Sequence, residues 1–183
     1  MKITAKRVAA DFDATDLENP IWHQAEPGLI SKYWSGEDAP AGRHVEFRLL
    51  WSDTALYVRF DAAQAEPFNL NPEPNLDQKT IGLWDFDVCE IFLAPNSHET
   101  ERYFEFEVSP TGEWIDLGIR QLPDRRETDW AFISGMKAMA RIGGNATLMT
   151  IEVPWLAFGK RPKPNDAWRV NLFRCVGVGE SRG

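Results

Sequence analysis

Five carboxylates and a tryptophan crowd into two neighbouring stretches. "LWDFDVCEIFLAP" (83–95) carries Trp84, Asp87 and Glu90, and "RYFEFEVS" (102–109) carries Tyr103, Glu105, Glu107 and Ser109. Aromatic rings beside carboxylates suit a sugar: indole offers a large apolar face for the C–H side of a pyranose, and ionised oxygens accept from its hydroxyls. Paired carboxylates also raise glycoside hydrolysis, with two of Asp87, Glu90, Glu105 and Glu107 as acid and base. Directly opposed strand residues have Cβ atoms only about 5 Å apart. Hydrolases need their carboxyls about 5 to 9 Å apart across the scissile bond, so binding is favoured over catalysis.

Both stretches alternate as strands do. Cys89, Ile91 and Leu93 form an apolar face, which leaves Val88, Glu90 and Phe92 on the other. If the two pair as a hairpin, the apolar faces must coincide. Matching Cys89 and Ile91 with Phe106 and Phe104 sets Glu90 opposite Glu105, Val88 opposite Glu107 and Phe92 opposite Tyr103. Opposed glutamates repel, so an arginine, a cation or a donating ligand must compensate; Arg48, Arg59 and Arg174 are the arginines expected on non-core faces. Trp84 precedes Glu90 by six residues, which on a straight strand is about 20 Å. The two meet one ligand only if "WDFD" bends.

"ADFDATDLE" holds Asp11, Asp13 and Asp16. It lacks the glycine and terminal glutamate of an EF-hand loop. A Ca2+ site on these three aspartates and a solvated turn both stand, with the turn favoured. His23, His44 and His98 have no zinc spacing. Cys89 and Cys175 both fall in apolar runs and read as buried free thiols rather than a disulfide. No Walker loop, GxSxG or Rossmann fingerprint is present. Of eight tryptophans, Trp22, Trp51, Trp114, Trp155 and Trp168 read as core or rim, while Trp34 and Trp130 lie in loops that could line a site.

The elements around these residues are short strands at 45–51, 55–62, 88–93, 102–109, 114–118, 139–142, 147–153 and 168–175, separated by Gly-, Pro-, Asn- and Asp-rich turns. This spacing predicts an all-β antiparallel β-sandwich, one domain over 1–183. "VPWLAFGK" reads as one short helical turn between Pro154 and Gly159. A net charge of −8 and a pI near 4.9 argue against nucleic acid and anionic membranes as partners. No run of about 18 apolar residues and no signal-peptide h-region occur.

The order "LWDFDVCEIFLAP", "YFEFEVSPTGEWID", "TIEVPWLAF" and "WRVNLFRC", with "LENPIWHQA" and "LLWSDTALYVRFDA" before it, resembles the family 9 carbohydrate-binding modules. The resemblance implies a DOMON-related β-sandwich, immunoglobulin-like in architecture. It also implies a non-catalytic module that clamps a glycan end or small sugar (xylan, cellulose or their fragments) between two tryptophans, with structural Ca2+. The first tryptophan corresponds to Trp84 and the sugar-facing carboxylate to Glu90. Where binding members place an arginine and an asparagine, this chain has Glu107 and Ser109. The second tryptophan of the family follows the "WRVNLFRC" strand, and the chain reaches Gly183 without one, which reads as a truncation. The expected ligand surface is therefore Trp84, Glu90, Tyr103, Glu105, Glu107 and Ser109. A glycan-active enzyme, a haem-binding DOMON-like redox domain and a structural accessory domain are the alternatives.

Overall fold

The computed structural model describes every residue except Met1, Ser97 and Thr100, and the backbone alone of Ser181. Among the described residues, eleven strands form two facing sheets. The first contains β1 (Lys6–Arg7), β2 (Gly28–Ile30), β3 (Val45–Trp51), β4 (Ala55–Ala63), β9 (Lys137–Gly143) and β10 (Ala146–Pro154), in the order β1-β3-β4-β10-β9 with β2 also on β3. The second contains β5 (Val88–Ala94), β6 (Arg102–Val108), β7 (Trp114–Gln121), β8 (Arg126–Asp129) and β11 (Arg169–Cys175), in the order β11-β5-β6-β7-β8. Every pairing is antiparallel except β1 with β3. The β-sandwich expected from the sequence is the fold observed.

Alternation decides which side chains fill the interior. Val45, Phe47 and Leu49 on β3, Val58 and Phe60 on β4, and Met149 and Ile151 on β10 meet Cys89, Ile91, Leu93, Phe106, Val108 and Leu172 of the other sheet. The helical turn at Trp155–Phe158 closes one edge. Pro154 precedes it, and Gly159 ends it at φ 66°, a left-handed conformation that costs glycine nothing.

Both outer faces are also covered, which alternation alone does not reveal. On the first sheet, Trp22 sits fully buried against Leu50, Ala55 and Tyr57. It is delivered by a 3-10 turn, Pro20–Gln24, whose first turn is capped by Asn19 Oδ1 accepting from Ile21 N. On the second sheet, Leu83 packs on Val88, Ile115, Leu117 and Ile119. The face of "LWDFDVCEIFLAP" that should have met water is thus a second, smaller core.

The β5–β6 register differs from the expectation by two residues. Glu90 lies opposite Glu107, not Glu105; Phe92 lies opposite Glu105, not Tyr103; and Val88 has moved off Glu107. The observed register pairs Cys89 with Val108, Ile91 with Phe106 and Leu93 with Phe104. The expected one would have put Leu93 beside charged Arg102. A shift of two preserves the faces, so parity could not tell them apart.

Candidate functional site

The outer face of the five-stranded sheet brings together Glu90 from β5, Glu105 and Glu107 from β6, Ile115, Leu117 and Ile119 from β7, and Phe173 and Cys175 from β11. Glu90 stands between Phe173 and Glu107, and Glu105 between Phe92 and Leu117. On the Glu105 side the face is aromatic: Phe92 lies 5.6 Å from Phe173 and 6.2 Å from Tyr103 between ring centroids.

Trp84 reaches this face because the chain bends, as a shared site with Glu90 required. Gly82, at φ 84°, starts a 3-10 turn at Leu83–Asp85, closed by Phe86 N donating to Leu83 O at 3.0 Å. Leu83 is buried in the outer core; Trp84 is half-buried and packs on the same cluster, as do Tyr103 and Cys175. Arg182 holds the turn from above: its guanidinium donates to the carbonyls of Trp84 and Phe86, the latter at 2.8 Å, and to Gly177 O at 2.9 Å. Asp87 anchors the same region. It accepts from Gly177 N, Asn69 N and Gln64 Nε2, each at 3.1 Å, and burial pushes its carboxyl upward.

Another tryptophan stands beside Trp84. Trp130, just past β8 and half exposed, lies beside Trp84 with ring centroids 6.2 Å apart and planes tilted by 43°. Trp34 is 87% exposed. Trp22 and Trp155 are buried, and Trp51, Trp114 and Trp168 pack on the main core, as expected.

The three glutamates are sequestered. Glu107 is fully buried, and Glu90 and Glu105 expose only 6% and 5%. One carboxylate oxygen from each lies within 4.8 Å of the others, the one such acidic or metal-ligating group of three among the described residues. Burial, and after it the neighbouring carboxylates, hold Glu107 well above the ordinary range. Glu90 is raised by burial too, opposed in part by the Cys175 thiol, which donates to its Oε1 at 3.2 Å. The compensating arginine is Arg126, which donates to Glu105 Oε2 at 2.7 Å.

Arg126 is not among the arginines expected. Arg48 and Arg59 serve the other sheet, pairing with Glu46 and Asp61. Arg174, expected on a non-core face, lies opposite Cys89 on the inner face and donates to Ala63 O and Gln64 Oε1. Leu172, two residues earlier, is buried in the main core, and this fixes the parity of β11. Cys175 accordingly faces outward to Glu90, whereas Cys89 is buried inside; both are free thiols.

The remaining expected residues are used differently. Ser109 is buried, and its Oγ pairs with Thr111 Oγ1 at 2.7 Å in the β6–β7 turn. That turn is organised by Glu113, which accepts from Thr111, Asn71 and Thr80. Asp11, Asp13 and Asp16 do not form a group of three close ligand atoms, although Asp11 and Asp13 line one cavity. Asp13 accepts from Thr15 N and Oγ1, Asp16 from Glu18 N, and Asp11 from Tyr57 at 3.4 Å.

Chemically, this face offers indole surface open to solvent, apolar packing beneath it, and buried anionic oxygens. Residues 13–115, more than half of the chain, match the family described as carbohydrate family 9 binding domain-like. An "Extracellular protein" of Arthroderma benhamiae is 26% identical over 142 residues, which span 70% of this chain and 62% of that one. The chain therefore covers less than two thirds of that relative's length. Among solved structures, a putative carbohydrate-binding protein from Bacteroides uniformis superposes with a TM-score of 0.69 at 15% identity, over 97% of this chain and 85% of its own. Family 9 modules from Caldicellulosiruptor kristjanssonii in complex with cellotriose and with glucose give TM-scores of 0.68 and 0.63 at 15% and 17% identity. They cover 99% and 97% of this chain and 80% of each of theirs. These likenesses carry the fold, and the family match carries the assignment: the chain belongs to the carbohydrate family 9 binding domain-like family.

Proposed function

We propose that the chain is a non-catalytic module that binds carbohydrate at Trp84 and Trp130, on the outer face of the five-stranded sheet. The observation that carries this reading is the adjacency of a half-exposed Trp130 to Trp84 beside a face of buried carboxylates. A sugar ring held between two indoles needs about 3.5–4.0 Å of contact distance on each side, so about 7–8 Å between planes. Centroids 6.2 Å apart and a 43° tilt leave less than that. The pair acts as an open platform, with the sugar stacking on its exposed side rather than between the rings. Tyr103, partly exposed and packed on the same outer cluster as Trp84, is the polar side chain placed to donate to or accept from hydroxyls, while Glu90 lies buried beneath. Glucose and short β-1,4-glucans are the first ligands to test, because family 9 modules of the same fold hold glucose and cellotriose.

The carboxylate spacing supports binding rather than hydrolysis. The cluster oxygens lie within 4.8 Å of one another, which leaves no room for a glycosidic bond between an acid and a base on either side of it. Isothermal titration of the protein with glucose, cellobiose, cellotriose and xylobiose tests the reading. The expected dissociation constants lie between about 1 μM and 1 mM, or roughly −8 to −4 kcal/mol. Flat titrations with all four sugars overturn it, and release of reducing ends from cellotriose overturns the non-catalytic part.

A further inference from the structure

Three buried carboxylates share one small volume, and one of them has no hydrogen-bond donor when all three are ionised. When it is ionised, neither oxygen of Glu107 has a hydrogen-bond donor; its one side-chain partner is the Glu105 carboxyl, which it can meet only through a shared proton, and the residue is fully excluded from water. Its neighbours are the Glu105 carboxylate and Glu90 directly opposite on β5. Leaving an anion there uncompensated costs several kcal/mol. The cations facing the cluster are Arg126, already on Glu105, and Arg182 on the Glu90 side, whose guanidinium is taken up by three carbonyls. Tyr103 and Cys175 are the remaining polar groups against it, and the Cys175 thiol satisfies one oxygen of Glu90.

The spacing of the oxygens matches a metal. Ligands around Ca2+ lie at about 2.3–2.6 Å, so two of them can be separated by at most about 4.6–5.2 Å. One oxygen from each glutamate falls within 4.8 Å of the others. An all-carboxylate donor set favours hard cations of the Ca2+, Mg2+ and Mn2+ class over zinc or copper.

We propose that Glu90, Glu105 and Glu107 hold an oxygen-preferring divalent cation beside the Trp84 turn. The cation gives an ionised Glu107 its missing partner and offsets the buried negative charge beside the Trp84 turn. It is distinct from the Asp11–Asp13–Asp16 turn, whose carboxylates are spent on local backbone and hydroxyl donors. It is also measured with no sugar present, so it stands or falls separately from carbohydrate binding.

The test uses the full chain, stripped with chelator and dialysed, with Mn2+ as the probe and Ca2+ as competitor. Paramagnetic broadening of amide resonances locates the ion without any substitution. Broadening should centre on residues 88–92 and 103–107, reverse with Ca2+, and titrate as one ion per chain. Glu107→Gln, nearly isosteric and relieved of repulsion, should bind Mn2+ at least tenfold more weakly, and Asp13→Asn should bind it unchanged. No broadening up to about 1 mM, the weak end of biological calcium sites, overturns the proposal in favour of carboxylates that share protons. Broadening centred on residues 11–18 overturns it as well. If Glu107→Gln does not fold, the broadening map of the unsubstituted protein decides alone.

Discussion

Lys79→Met should unpin both tryptophan-bearing segments at once. Lys79 Nζ lies 2.5 Å from Asp116 Oδ1, donates to Asp116 O at 2.9 Å, and also donates to Phe132 O. Asp116, fully buried on β7, accepts from Ser134 N at 2.6 Å through its other oxygen. One ammonium thus ties β7 to the segment that leads into Trp84 and to the segment that follows Trp130. Removing it leaves a buried carboxylate whose Oδ1 has no partner, a defect worth about 3–5 kcal/mol. For a urea slope near 2 kcal/mol per molar, the unfolding midpoint should fall by roughly 1.5–2.5 M. Equilibrium urea unfolding followed by circular dichroism reads this directly. Asp116→Asn in the Lys79→Met background removes the stranded charge and should recover more than half of the loss. A cost below about 1 kcal/mol for the single variant, or no recovery in the double, refutes the claim that this pair pins the two segments.

Two further perturbations test the parts that shape the site. Gly82→Ala meets no close atom, the nearest being Asp85 Oδ2 at 3.6 Å, but forces a Cβ onto φ 84°; it should cost about 1–2 kcal/mol in urea unfolding through backbone strain alone, and an unchanged midpoint contradicts the left-handed start of the Trp84 turn. Burial raises the Cys89 thiol to about 12 from an ordinary value near 9, so the neutral thiol is the form the fold favours. The stability tied to it is complete below pH 9 and is lost as the pH rises from about 9 to about 12, with Tyr57 and Tyr103, also raised by burial, acting in the same direction. In a Cys175→Ser background, a thiol reagent at pH 8 should accordingly modify Cys89 only at the rate of global unfolding, and rapid modification of that thiol in the native protein contradicts its burial.

The fold was legible because its strands alternate. The stretch 45–51 was read at its observed bounds, and 88–93 and 147–153 fell within a residue of theirs. The strands that escaped, β1, β2 and β8, have two, three and four residues, too few for alternation to show. Missing β8, "RETD", also meant missing Arg126, the cation that reaches Glu105. Parity placed Glu90, Glu105 and Glu107 on one face, but it is blind to a shift of two, so it mispaired them. It could not show that the face is covered, since Leu83 and Arg182 arrive there from outside the two strands. Trp130 was recognised as a loop tryptophan, yet its place beside Trp84, 46 positions earlier, is a tertiary fact that no local pattern carries.

The most direct measurement of the central claim follows the indole N–H resonances of the eight tryptophans while cellotriose is added. The account predicts saturable shifts at Trp84 and Trp130, assigned by Trp84→Phe and Trp130→Phe, with Trp22 and Trp34 unmoved. Saturable shifts confined to Trp34, or none at millimolar sugar, would contradict it.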